Sequence, residues 1–147
     1  MYELFVFLHI AGALLFAAAH GVPGAVALAI RDEPDPLQLA RLLELGAGAR
    51  PAQYAGLALL LIGGIAAGWA GGWWQTGWIW LSLALLVLLL VGAVPLAIVF
   101  ARLRRAIRTG RHADIERLRR SPLPLVVAGY ETVGFLAIVW LMVAKPF

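Results

Sequence analysis

Four long apolar stretches, each with at most one charged side chain, constrain this chain more than any other feature of its sequence. They cover residues 4–30, 52–71, 77–101 and 123–144. At a rise of about 1.5 Å per residue, each is long enough to cross the hydrocarbon core of a bilayer. A backbone in lipid must form its own hydrogen bonds, so each stretch is predicted to be a helix. The chain is therefore predicted to be an all-α membrane protein, an antiparallel bundle of four transmembrane helices in a single domain, residues 1–147.

The composition excludes several other classes of protein. Hydrophobic residues make up 63% of the chain and charged residues 14%, whereas a soluble domain is nearer half apolar and one quarter charged. This balance excludes a soluble nucleotide-binding fold, a disulfide-stapled secreted domain and a disordered chain. The sequence contains no cysteine, so thiolate metal sites, iron–sulfur clusters and covalent haem attachment are excluded as well.

The distribution of basic residues predicts how the helices cross the membrane. The link between the third and fourth stretches, from Arg102 to Arg120, carries eight arginines against two acidic residues. Such loops stay in the cytoplasm, which places the first loop there too and both termini outside a bacterial cytoplasmic (inner) membrane. All six tryptophans then fall on the outer half, as in an interfacial aromatic belt. The basic link is expected to contact anionic lipid, and not nucleic acid, because it lacks stacking aromatic residues.

The link between the first two stretches is predicted to contain a short helix. Asp35 is placed as its N-cap, Pro36 at its first position, and Gln38 where it completes a capping box. Apolar and small residues then share one stripe: Leu39, Leu42, Leu43 and Gly46. We expect this helix to lie along the cytoplasmic membrane interface.

Small residues at every fourth position predict where helix backbones approach closely. They are Ala13, Ala17, Gly21, Ala25 and Ala29 in the first stretch, and Gly56, Gly64, Gly68 and Gly72 in and just after the second. These stripes are predicted to be packing seams, either within one chain or between the copies of a homodimer.

Few polar side chains lie inside the predicted membrane region: His9, His20, Gln53, Ser82, Tyr130 and Glu131. An ionisable group at that depth is costly and is by default a functional candidate. His9 and His20 are eleven residues apart, which places them on one helix face roughly 16 Å apart. Glu131 falls at the depth of His20, so the two side chains are within reach of each other. In such a pair both groups are charged, or they share one proton.

The histidines indicate a metal centre. A neutral imidazole binds haem iron, zinc or copper, and without cysteine haem b is the easiest site to build. Haem needs one axial histidine and a flat apolar slot; His9 is a candidate, and Gly12 leaves room beside it. Aromatic side chains are available to line the slot: Phe5, Phe16, Tyr130 and Phe135. His20 either serves a second metal site or pairs with Glu131. The alternative for each histidine is a buried ring bonded to a carbonyl.

Three segments resemble a known family in their order and spacing. Residues 8–16 (LHIAGALLF), 53–59 (QYAGLAL) and 141–146 (LMVAKP) resemble the bacterial integral-membrane family called domain of unknown function 2269 over the whole chain. The first helix is also similar to that of CopD-type copper-resistance proteins and of four-helix, haem-binding protoporphyrinogen oxidases. That resemblance implies that His9 is an axial haem ligand or a copper contact. The oxidases imply a basic partner on helix three, and this chain has none between Trp78 and Phe100.

Three functions follow from these patterns. The first is a haem b protein, expected to be a homodimer, that acts in electron transfer, haem handling or redox sensing. The second is a small oligomeric transporter or copper-handling subunit, with His9, His20 and Glu131 as a polar track and free carbonyls near Pro23 and Pro95. The third is a non-catalytic membrane scaffold that packs through its glycine seams.

Overall fold

The computed structural model describes residues 1–146, which are helical apart from short connections. The elements are α1 (Tyr2–Asp32), α2 (Pro36–Gly48), α3 (Arg50–Ala70), a 3₁₀ turn (Trp73–Gln75), α4 (Gly77–Gly92), α5 (Val94–Arg108), α6 (His112–Arg119) and α7 (Leu123–Ala144). Four helical segments are long and apolar enough to cross a membrane: α1, α2 with α3, α4 with α5, and α6 with α7. The prediction of an all-α protein with four membrane-spanning helices is confirmed.

Two of these segments consist of helices joined at a single residue. Ala49 joins α2 to α3 and Ala93 joins α4 to α5, and both keep right-handed helical backbone angles. A proline follows each junction, at Pro51 and Pro95. Its ring removes one backbone donor and crowds the preceding turn, which interrupts the helix there. Pro23, by contrast, lies within the continuous α1.

The N-terminus of α2 forms largely as predicted. The Asp35 carboxylate accepts a hydrogen bond of 2.9 Å from the Leu37 N–H, and Pro36 is the first helical residue. The capping-box prediction for Gln38 was wrong. The Asp35 N–H donates instead to the Glu33 carboxylate at 2.9 Å, because that acceptor lies two residues upstream in the same turn.

The main apolar core lies at the arginine-rich end of the bundle, where α2 packs against α1 and α5. Leu39 and Leu43 have no exposed surface. They pack with apolar residues from four other helices: Val26, Ala27, Ile30, Leu96, Val99, Phe100, Leu103, Ala106, Ile115 and Val127. Arg104 donates to the Leu43 carbonyl at 2.9 Å, and Arg119 donates to the Arg31 carbonyl. Two arginines of the basic link therefore hold this end together through charge-assisted hydrogen bonds.

α1 and α3 form the most extensive helix contact in the molecule, and they run antiparallel. Three glycines face backbone atoms across it: Gly12 against Leu60, Gly56 against Phe16, and Gly63 against His9. A Cβ at any of these positions would overlap the facing backbone, so glycine permits the close approach. The prediction of a glycine seam on the second stretch is confirmed at Gly56.

The second half of the predicted small-residue stripe on α1 does not lie in this contact, whereas Ala13 and Ala17 are half-buried. Gly21, Ala25 and Ala29 are exposed, and no described atom lies within 4 Å of a Cβ built on Gly21. The contact within the chain instead uses the α1 face that carries Gly12 and Phe16.

Tryptophans cluster at the opposite end of the bundle from the arginines. Ring centroids are 6.2 Å apart for Trp69 and Trp74, 6.1 Å for Trp73 and Trp78, and 5.7 Å for Trp74 and Trp80. The Lys145 ammonium lies 4.4 Å from the Trp73 ring centroid, a cation–π contact. One end of the molecule is therefore rich in tryptophan and the other is rich in arginine.

Candidate functional site

Two polar clusters lie on the same three helices, α1, α3 and α7. The His9 cluster consists of His9, the Leu60 carbonyl and Met142, and the His20 cluster consists of His20, Gln53 and Glu131. In each cluster an imidazole of α1 contacts one group on α3 and one on α7. Glu131 and Met142 are separated by eleven residues, as are His9 and His20. Antiparallel packing of α1 and α7 therefore brings both pairs into register.

The His9 ring lies between a backbone carbonyl of α3 and a thioether of α7. Its Nδ1 lies 2.8 Å from the Leu60 carbonyl oxygen, which only accepts, so Nδ1 is assigned the hydrogen. Its Nε2 lies 3.3 Å from the Met142 Sδ. In the neutral ring Nε2 carries a lone pair, and a thioether has no hydrogen to donate. In the neutral ring two electron-pair donors therefore face each other, and either a bound cation or a second proton on the imidazole, which would donate to the sulfur, stabilises the contact.

Glycines on α3 fix the position of this ring. A Cβ on Gly64 would lie 2.7 Å from the His9 Nδ1, and Gly63 lets the His9 backbone approach α3. The imidazole therefore lies directly against α3, with Nε2 directed to α7. Histidines that bind metals commonly donate their other ring N–H to a carbonyl in this way.

The separation of the two donors discriminates between kinds of metal centre. For bonds of about 2.0 Å to nitrogen and about 2.3 Å to sulfur, a separation of 3.3 Å between Nε2 and Sδ corresponds to an angle of about 100° at the metal. This angle suits a small ion of near-tetrahedral geometry. The axial ligands of haem lie on opposite faces of the porphyrin, about 4.3 Å apart by the same bond lengths. As placed, His9 and Met142 do not lie far enough apart to be the two axial ligands of one haem iron, and haem binding through His9 alone stays a prediction.

The His20 cluster is a hydrogen-bonded chain across the three helices. The His20 Nε2 lies 3.2 Å from the Glu131 Oε2, which confirms that the two side chains meet. The Gln53 amide donates to the His20 Nδ1. An amide NH₂ group only donates, so Nδ1 accepts and Nε2 carries the hydrogen that points to Glu131. Phe16 stacks on the imidazole, with centroids 5.0 Å apart and an interplanar angle of 22°.

The structure divides the candidate residues between the two clusters. Phe16, His20 and Glu131 lie together, whereas His9 belongs to the other cluster. Gly12 serves the contact between α1 and α3. The Tyr130 ring packs against Gly92 of α4 and is 44% exposed, because it lies on a different side of α7 from Glu131.

Sequence reasoning missed two residues of these clusters. Gln53 stood out as a polar residue in the membrane, but its pairing with His20 depends on the register of α3 against α1. Met142 was overlooked because a methionine in an apolar helix usually serves only packing. Its separation of eleven residues from Glu131, equal to that between the two histidines, is the signal that identifies it.

Four apolar helices with two polar clusters between them define an integral membrane protein. The family model described as "Predicted integral membrane protein (DUF2269)" matches residues 3–146, and the chain belongs to this family. The resemblance seen in its three short segments is thereby confirmed. Comparisons with curated proteins and with solved structures find no match.

Proposed function

We propose that the protein binds and handles monovalent copper within the membrane, with His9 and Met142 as its ligands. The observation that carries this proposal is the contact of 3.3 Å between the His9 Nε2 and the Met142 Sδ. The hydrogen bond from Nδ1 to the Leu60 carbonyl directs Nε2 at the sulfur. A cation bound between the two atoms would form one coordinate bond to each.

The chemistry of the donors supports a soft, singly charged ion. Thioether sulfur prefers soft metals, and imidazole binds copper well. Both donors are neutral, and no three His, Asp or Glu side chains among residues 1–146 form a group suited to a metal. A single positive charge costs less to remove from water than a double one. Monovalent copper meets these conditions better than zinc.

A transport or subunit role fits the placement of the two clusters. The His20 cluster lies three turns from the His9 cluster on the same helices, so polar groups line one path between α1, α3 and α7. Membrane transporters are commonly built around such polar groups and interrupted helices. The function proposed is therefore a small oligomeric transporter or copper-handling membrane subunit.

A homodimer is part of this proposal. Two donor atoms from one chain leave a four-coordinate ion incomplete, so its further ligands must come from outside this chain. The exposed stripe of Gly21, Ala25 and Ala29 on α1 offers a face on which a second copy approaches closely.

We further propose that the arginine-rich end lies in the cytoplasm of a bacterium, with both termini outside and α2 at the cytoplasmic interface. The positive-inside rule supports this orientation. A cavity of about 340 Å³ at this end is lined by Arg102, Arg105, Arg111 and Arg117 together with Asp114, which pairs with Arg111 and Arg117. It suits the headgroup of an anionic lipid.

Metal binding by the purified protein tests the proposal. Under anaerobic conditions with buffered monovalent copper, we expect tight binding and X-ray absorption features of one nitrogen and one sulfur scatterer from the chain. Met142→Leu should lose the sulfur signal and His9→Ala most of the binding. His112→Ala, which removes an exposed histidine from the basic end, is the matched control and should bind as the parent does.

The visible spectrum of the same preparation tests the haem b prediction from the sequence. A Soret band that disappears in His9→Ala would favour a haem protein in electron transfer, haem handling or redox sensing, and would contradict the copper proposal. A colourless preparation that takes up no metal would contradict both and favour the scaffold.

A further inference from the structure

We propose that the His20 cluster is a proton-binding site in which Glu131 takes up and releases one proton at Oε1 while His20 stays neutral. This proposal depends on the contacts of His20, Gln53 and Glu131 alone. It stands or falls independently of metal binding at His9.

The first argument is the direction of the hydrogen bonds. The Gln53 amide nitrogen is assigned as the donor to the His20 Nδ1, and with this assignment that nitrogen has no hydrogen and the imidazole is neutral. Its single N–H points from Nε2 to the Glu131 Oε2, 3.2 Å away. Within this network, a second proton on the imidazole would require Gln53 to turn its amide. The proton that is free to exchange therefore belongs to the carboxyl group.

The second argument is the unsatisfied oxygen of that carboxyl group. Glu131 is 9% exposed, and its buried Oε1 has no hydrogen-bond partner among residues 1–146. Buried polar atoms are nearly always paired, so an exception needs an explanation. A proton on Oε1 removes the carboxylate charge, and the His20 N–H stabilises the charge when the proton leaves. The neutral acid avoids a buried charge and the carboxylate accepts a hydrogen bond from His20. Both protonation states are therefore accessible, as a site that exchanges a proton requires.

The surroundings isolate this carboxyl group from other charges. On α1 the titratable neighbour is His20. On α3 the nearest charged residue along the chain is Arg50, three positions before Gln53 and exposed. The sequence of α4 and α5 contains no titratable side chain between Trp78 and Phe100. On α7 the adjacent Tyr130 packs against α4. His20 is thus the partner that decides the state of Glu131.

The step itself is a simple ionisation. The O–H bond of the Glu131 acid breaks, its electron pair stays on the carboxylate, and the proton passes to water. The reverse step restores the neutral acid, and no redox partner or co-reactant is needed. A group that changes charge at this depth lets a membrane protein couple another event to the transmembrane proton gradient.

A hydrophobic carbodiimide tests the proposal, because it reacts with protonated carboxyl groups from within the lipid. With the full chain in liposomes, we expect mass spectrometry to find the adduct on Glu131. Labelling should fall about tenfold per pH unit above the midpoint of the titration. Glu131→Gln should lose this adduct. Absence of the adduct from the parent protein across the pH range in which circular dichroism shows intact helices would overturn the proposal.

A second variant tests the role of Gln53 and keeps Glu131 in place. Gln53→Leu removes the donor to His20 Nδ1, so the imidazole is free to bind a second proton and the midpoint of labelling should shift. Ser82→Ala is the control. It removes a buried hydroxyl that bonds only within α4, to the Trp78 carbonyl at 2.8 Å, and should leave the midpoint unchanged. An equal midpoint in Gln53→Leu and the parent would show that Gln53 does not hold His20 neutral, and would contradict that part of the proposal.

Discussion

Gly12 shows how one residue sets the distance between α1 and α3. Gly12→Ala should lower the free energy of unfolding by about 1–3 kcal/mol, the usual cost of overpacking, because its Cβ overlaps the Leu60 backbone. Gly21→Ala is the matched control, with no described atom near its added Cβ. It should be neutral or stabilise by up to about 1 kcal/mol through helix propensity. Unfolding in mixed detergent followed by circular dichroism measures both, and equal effects would contradict the contact.

At the same scale, the sequence revealed only part of the site. Ionisable residues in lipid are rare enough that His9, His20 and Glu131 were recognisable from the sequence, and the shared depth of His20 and Glu131 predicted their contact. The eleven residues between His9 and His20 also predicted that His9 lies apart from that pair. The partners of His9 were not predicted, because a peptide carbonyl carries no sequence signal and the thioether of Met142 is marked only by its spacing from Glu131. Their proximity follows from the close approach of α1 to α3 that Gly63 and Gly64 permit.

α2 provides a test at the scale of an element, because it packs into the core although it lies in a link. Leu39→Ala should destabilise the protein by about 2–5 kcal/mol, the usual cost of removing a buried leucine side chain. Leu37 lies two residues away and its side chain is 59% exposed, so Leu37→Ala should have little effect. The same unfolding measurement applies. A small effect of Leu39→Ala would mean that α2 is a surface connector.

The start of α2 gives a second test. Asp35→Ala should cost about 0.5–2 kcal/mol because it removes the acceptor for the Leu37 N–H. Gln38→Ala should cost little, since the Asp35 N–H already donates to Glu33. A larger loss of stability in Gln38→Ala than in Asp35→Ala would indicate that Gln38 forms the capping box predicted from the sequence.

The element boundaries also show which parts of the fold a sequence reveals. The fourth stretch was predicted at 123–144 and α7 is Leu123–Ala144, because arginines and a proline end the apolar run abruptly. The basic link between α5 and α7 has no comparable change from charged to apolar residues that would mark the ends of a helix. Its helix α6 depends on Ile115, which is buried against the other helices, and that contact is tertiary. The junction at Ala93 lies inside an apolar run, where only Pro95 marks it.

At the scale of the whole molecule, the native chain contains no cysteine, so a single introduced one reports its side of the membrane. Gln75→Cys at the tryptophan end should react with a membrane-impermeant maleimide in intact cells. His112→Cys at the arginine end should react only after the cells are permeabilised. Both positions are exposed, so burial does not explain a difference. The opposite pattern would reverse the proposed orientation.

Met142 and Glu131 both belong to the continuous helix α7, so a movement of this helix along its axis would act on both clusters. A slide of one residue along its axis, about 1.5 Å, moves the sulfur away from His9 and the carboxyl group away from His20 in a single stroke. If α7 moves in this way, binding at one cluster would change binding at the other, and the effect would be equal in both directions. In such a protein the proposed ion site and the proposed proton site would respond together to a movement of α7.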